Sequence, residues 1–144
     1  MNRQQERMSI MLFRQACWGL SGSKKKIWLR LTANDTTIRV FSIFDTGAEY
    51  CVFPSHITDV LFPDSRDGKI SKIQGVGGEI DVVAHYVKVD FLDDNERDVL
   101  LTIPKVRAYF ALDKDYDLSL IGVLGCLDQF NWKLSYKTGD LSAS

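Results

Sequence analysis

Residues 38–48 read Ile38-Arg39-Val40-Phe41-Ser42-Ile43-Phe44-Asp45-Thr46-Gly47-Ala48. In an extended chain successive side chains point to opposite faces. Ile38, Val40, Ser42 and Phe44 then share one face, with Phe41 and Ile43 on the other. A strand apolar on both faces is covered on both sides. It runs directly into a carboxylate, and Gly47 sits where the chain must bend. Asp and Gly are common turn residues, so a surface turn is the plain alternative. Two features argue against it: Asp45 emerges from a core strand, and Cys51-Val52-Phe53 is apolar again straight after the turn. A carboxylate pinned between two core strands is costly unless it has a partner or a task.

Outward from this stretch, β signals dominate. Ile27, Leu29 and Leu31 alternate with Trp28, Arg30 and Thr32, a period of two. Asn34-Asp35 is a turn signal. Tyr50 to Phe53 reads as a short strand ended by Pro54, and Ser55 to Leu61 as a short helix capped by Ser55. Residues Lys69 to Gln74 read as extended and lead into Gly75-Val76-Gly77-Gly78. Glu79 to Leu92 is a long β run, and Val99 to Val106 a strand interrupted by Pro104. Residues Leu112 to Leu118 form a polar, aspartate-rich link. Val123 to Phe130 is expected to be a short C-terminal helix, and Asn131 to Tyr136 a closing strand. Many short strands separated by turn signals indicate an all-β barrel or sandwich. The expected organisation is a loose N-terminal arm over residues 1–20, with an outer strand or pairing arm within Ser9 to Trp18, and one β-domain over residues 21–144.

Composition narrows the function classes. The 144 residues carry a formal net charge of -1, with 45% hydrophobic and 26% charged residues. That is an ordinary globular composition with no global field to attract nucleic acid or an anionic membrane. The basic run Lys24-Lys25-Lys26 reads as a solvated entry to a strand. Three widely spaced cysteines, Cys17, Cys51 and Cys126, suit neither a disulfide framework nor a metal site and read as buried, reduced thiols. No stretch approaches the ~18 apolar residues of a membrane span, and the expected location is cytoplasmic. The glycines at 75–78 are no phosphate loop, because no Gly-Lys-Ser/Thr follows. The link Asp113 to Asp117 lacks the glycine and terminal glutamate of a calcium loop. Trp18, Trp28 and Trp132 are expected in the core or at an interface. His56 reads as a surface or packed residue, and Asp81, Asp90 and Asp128 as solvated or capping.

Three pieces in order carry a resemblance: Asp45-Thr46-Gly47-Ala48, then Gly75-Val76-Gly77-Gly78 before a long strand, then Leu120-Ile121-Gly122 followed by Leu127-Asp128-Gln129-Phe130. Together they resemble the retropepsin-like aspartic peptidases over roughly residues 27–136. The resemblance implies an all-β, closed or partly open acid-protease barrel with one short C-terminal helix. It also implies an aspartic endopeptidase needing no metal or cofactor, with Asp45, Thr46 and Gly47 catalytic. Ala48, Glu49, Gly75, Val76, Gly77 and Gly78 would bind a peptide or protein substrate. Leu120, Ile121 and Gly122 would form the loop behind the site.

Aspartic peptidases use two carboxylates that share one proton, since two charges at close range cannot both ionise. One Asp-Thr-Gly box is present, so the resemblance implies a homodimer with Asp45 beside its own copy. Thr46 would lock the paired loops, and the glycines at 75–78 would cover the cleft. One departure stands out. Many family members carry an arginine directly after the last glycine, bracing an acidic residue near the catalytic loop; here that place is Val123, while Glu49 holds the acidic place. This favours the alternative of a retropepsin-fold peptide-binding or assembly module that is weak or inactive in catalysis. A generic β-barrel with a chance motif is a third reading, and it predicts a monomer.

Overall fold

The computed structural model describes residues 11–13, 25–64, 69–75 and 78–144. Ten strands, one helix and one 3-10 turn are found there. In chain order the strands are β1 (Met11–Phe13), β2 (Lys26–Ala33), β3 (Thr36–Phe44), β4 (Cys51–Phe53), β5 (Ile70–Gly75), β6 (Gly78–Leu92), β7 (Val99–Ala111), β8 (Leu120–Ile121), β9 (Trp132–Leu134) and β10 (Leu141–Ala143). The helix α1 (Ser55–Leu61) follows β4.

The strands form a seven-stranded sheet in the order β2-β3-β8-β4-β7-β6-β5 and a three-stranded sheet β1-β10-β9. The β-rich expectation holds, but the barrel does not form. The long strand β6 divides its pairing: Gly78 to Val83 pair with β5, and Lys88 to Phe91 pair with β2. β5 pairs with β6 alone and stands as an edge, so the sheet has an end and does not close. The expected C-terminal helix is also absent. Gly125 adopts φ +73, a left-handed conformation that breaks an α-helix, and only a 3-10 turn, Leu127–Gln129, follows it.

The period-two reading of β2 holds: Ile27, Leu29 and Leu31 are buried while Trp28 and Arg30 are half-buried. β3 is buried on both faces only in its last three residues, Ser42 to Phe44, where it pairs in parallel with β8. Pro104 does not interrupt β7. It lacks an N–H to donate, and the ladder absorbs it as a register shift between Val87 and Val89 of β6. The helix starts after Pro54 with no side-chain cap, so Ser55 is the first helical residue rather than the cap. The core joins Leu29, Leu31, Phe53, Phe91, Phe110 and Trp132, so β9 and β10 pack on the main sheet. Full burial of one such side chain is worth about 1.5–3 kcal/mol.

Two polar expectations are corrected and one holds. Lys25 is not solvated: it is 1% exposed, and its carbonyl accepts the Phe44 N–H at 2.8 Å. Asp90 is buried too, accepting from Arg30 Nε at 3.1 Å and from the Thr102 hydroxyl at 2.6 Å, the pairing a buried carboxylate requires. Asp81 is solvated as expected, 3.5 Å from Lys72 on the surface. Cys17, Trp18, Lys24 and all of the arm except 11–13 lie outside the described residues. No helix among the described residues is long and apolar enough to cross a membrane.

Candidate active site

β3 and β8 run side by side and deliver their C-terminal ends to one place. The Asp45 N–H donates to the Ile121 carbonyl at 3.0 Å, which fixes the backbone of the acid. The Asp45 side chain is half-buried, and its Oδ1 accepts the Gly47 N–H at 3.0 Å. A Cβ at Gly47 would lie 3.3 Å from that oxygen, so the glycine lets the loop close on the carboxylate. Beyond it the chain is clamped again: Val123 and Leu124 N–H groups donate to the carbonyls of Ala48 and Glu49, each at 2.9 Å.

Gly122 is the keystone of this packing. It is buried, and an added Cβ would overlap the Tyr50 carbonyl and come within 2.9 Å of the Ala48 carbonyl. Its N–H donates to Cys51 Sγ at 3.4 Å. Cys51 also accepts from the Cys126 thiol, and this bond together with burial holds Cys126 protonated, far above the usual thiol range. Both thiols are free and buried, as expected of structural cysteines.

Asp45 opens on a cleft of about 760 Å3. Gly47, Ala48 and Glu49 line it from the loop, Leu120 from β8, and Gly75 from the end of β5. Ile121 and Gly122 are buried behind the loop rather than in the cleft. Thr46 faces away, toward a smaller hollow of about 200 Å3 shared with Lys25, Phe44, Leu134 and Tyr136. Gly78 pairs with Gly75 across the β5–β6 hairpin at φ +119, where any other residue would be strained. Val76 and Gly77 lie outside the described residues. Among the described residues, no group of three or more His, Cys, Asp or Glu side chains is placed to hold a metal ion.

The cleft also contains residues the sequence reading passed over. Tyr50, Tyr109 and Tyr116 line it with Ile73 and Ile80. Tyr50 and Tyr109 pack against each other with ring centres 4.8 Å apart and planes tilted by 59°. Burial and the nearby charges of Asp117 and Asp45 push the Tyr116 phenol up to about 12. Tyr116 comes from the aspartate-rich link, and its one aromatic among acids was the available signal. For Tyr109 the signal was the apolar run Ala108-Tyr109-Phe110-Ala111, which carries β7 past Val106. Away from the cleft, His56 is exposed, and His85 stacks on Phe62 at 4.1 Å, where burial lowers its pKa.

No protein-family model matches the sequence, and none of the curated proteins does. Solved structures do match in fold. A retropepsin-like aspartic protease from Rickettsia conorii superposes with a TM-score of 0.61 over 93% of this chain and 89% of that one, at 15% identity. EIAV protease complexed with the inhibitor HBY-793 matches 69% of this chain and 82% of that one at 21% identity, with a TM-score of 0.46. The first of these likenesses shows the fold alone: this chain shares the fold of that retropepsin-like aspartic protease.

Proposed function

We propose that the chain is an aspartic endopeptidase that works as a homodimer, hydrolysing peptide bonds with a water held between two Asp45 carboxylates. The observation that carries this reading is the setting of Asp45: one half-buried acid, clamped by Gly47 and Ile121, at the mouth of a cleft of about 760 Å3. The ionised carboxylate takes a proton from the water as its oxygen attacks the scissile carbonyl carbon. The protonated partner donates a hydrogen bond to the carbonyl oxygen and stabilises the tetrahedral intermediate, and the first carboxylate passes the proton it took from the water to the leaving amine as the C–N bond breaks. In this reading Thr46 faces the twofold axis, Ala48 and Glu49 hold the peptide backbone, and the hairpin at residues 75–78 excludes water. A peptide-library cleavage assay on wild type and Asp45→Asn tests it. Cleavage by wild type that is lost in the variant supports the proposal, and equal cleavage by both refutes it.

A second reading, a peptide-binding module that does not cut, draws on Val123. Its backbone serves the Ala48 carbonyl, but it offers no cation to Glu49, which forms no ion pair among the described residues. Peptide binding without hydrolysis in the same assay would favour it.

A further inference from the structure

Beside the cleft, β6 and β7 carry a face that hydrolysis itself does not use. Tyr109 lines the cleft and rests on Tyr50. Arg107 is two residues back along β7, on the same face of the strand. Its guanidinium lies 5.6 Å from the centre of the Tyr109 ring. β6 places Tyr86 directly opposite Arg107, and both side chains are exposed. Among the described residues Arg107 forms no ion pair. The cation on the opposite wall, Lys72, already lies 3.5 Å from Asp81. A guanidinium seated on an aromatic ring is oriented before any ligand arrives, and its planar fork of N–H donors matches a carboxylate. Along an extended peptide, side chains on one face recur about every 6–7 Å. A cleft with a tyrosine wall ending at a cation therefore offers an apolar seat for one side chain and an anion seat for another further along.

We infer that Arg107, held on Tyr109, is a specificity-determining residue that selects peptides with an acidic side chain in the segment flanking the scissile bond. The inference rests on the peptidase reading and adds the substrate class to it. The test uses the full chain and peptides that share one cleaved apolar core, with a single Glu, Gln or Lys stepped through the flanking positions. At one position wild type is expected to favour Glu over Gln about fivefold in kcat/KM, the scale of an exposed ion pair. Arg107→Gln brings that ratio to about one, and Arg107→Glu reverses it in favour of Lys. A merely structural role for Arg107 would lower all peptides alike and leave the ratio intact. No Glu preference at any position, or a preference that survives Arg107→Gln, overturns the inference and leaves the peptidase reading standing. If no peptide is cleaved, the peptidase reading fails, and binding of the same peptides by fluorescence anisotropy decides the role of Arg107. A Glu-over-Gln ratio in Kd that Arg107→Gln removes supports it, and equal Kd values overturn it.

Discussion

The two walls of the cleft are built in different ways. On the Asp45 side, residues 45–49 are held by a second loop at three points: Ile121 takes the Asp45 N–H, Ala48 and Glu49 accept from Val123 and Leu124, and Gly122 leaves no room for a Cβ. On the opposite side, β5 and residues 78–81 are held by each other. Their side chains alternate between exposed and half-buried, and β5 has no second neighbour. The difference separates two requirements. One wall must hold a single carboxylate in a fixed direction, which needs close backbone packing. The other has only to cover a substrate, which an edge hairpin does with few contacts.

This contrast can be broken from either side, and the effects are unequal. Asp45→Asn should lower peptide cleavage by about a thousandfold or more, while calorimetry shows a stability change of under about 0.5 kcal/mol. Cleavage retained with intact fold would remove Asp45 from the mechanism. Gly122→Ala should cost about 2–3 kcal/mol in denaturant unfolding, because the methyl meets the Tyr50 and Ala48 carbonyls rather than a flexible side chain. Ile73→Ala, on the hairpin wall, should cost less than about 1 kcal/mol and act mainly by raising KM about three- to tenfold. Equal stability losses in Gly122→Ala and Ile73→Ala would erase the distinction between the walls.

The smallest effect concerns Tyr116, which bridges link and cleft. Its phenol titrates at 10.0 when free and near 12 in the folded chain. Below pH 10 it is protonated in both states. Between pH 10 and 12 only the unfolded chain loses the proton, so stability falls as pH rises through that window. Tyr116→Phe should flatten this fall in pH-dependent unfolding, and an unchanged slope would count against the buried setting of the ring.

The catalytic-loop wall was the part legible in the sequence. β3 announces itself by apolar residues on both faces, and the motif at Asp45 follows without a gap. The hairpin wall was half legible: its glycines were visible, but the division of β6 between β5 and β2, with β5 left as a free edge, was not. Which residues of a 15-residue strand meet which neighbour is a question of register, and composition does not encode it. The C-terminal helix failed on one backbone angle at Gly125. Lys25 and Asp90 were read as solvated because charge usually is, and tertiary packing overrode that expectation. The tyrosines went unnoticed because they come from three separate segments that meet only in the folded chain.

Subunit mixing tests the paired acid most directly. Asp45→Asn chains are added to a fixed amount of wild type under conditions of exchange, and cleavage is followed. If each active centre needs one Asp45 from each of two chains, equal amounts leave roughly half of the activity, and a fourfold excess leaves roughly a fifth. Activity that does not fall as the variant is added would mean that one chain works alone.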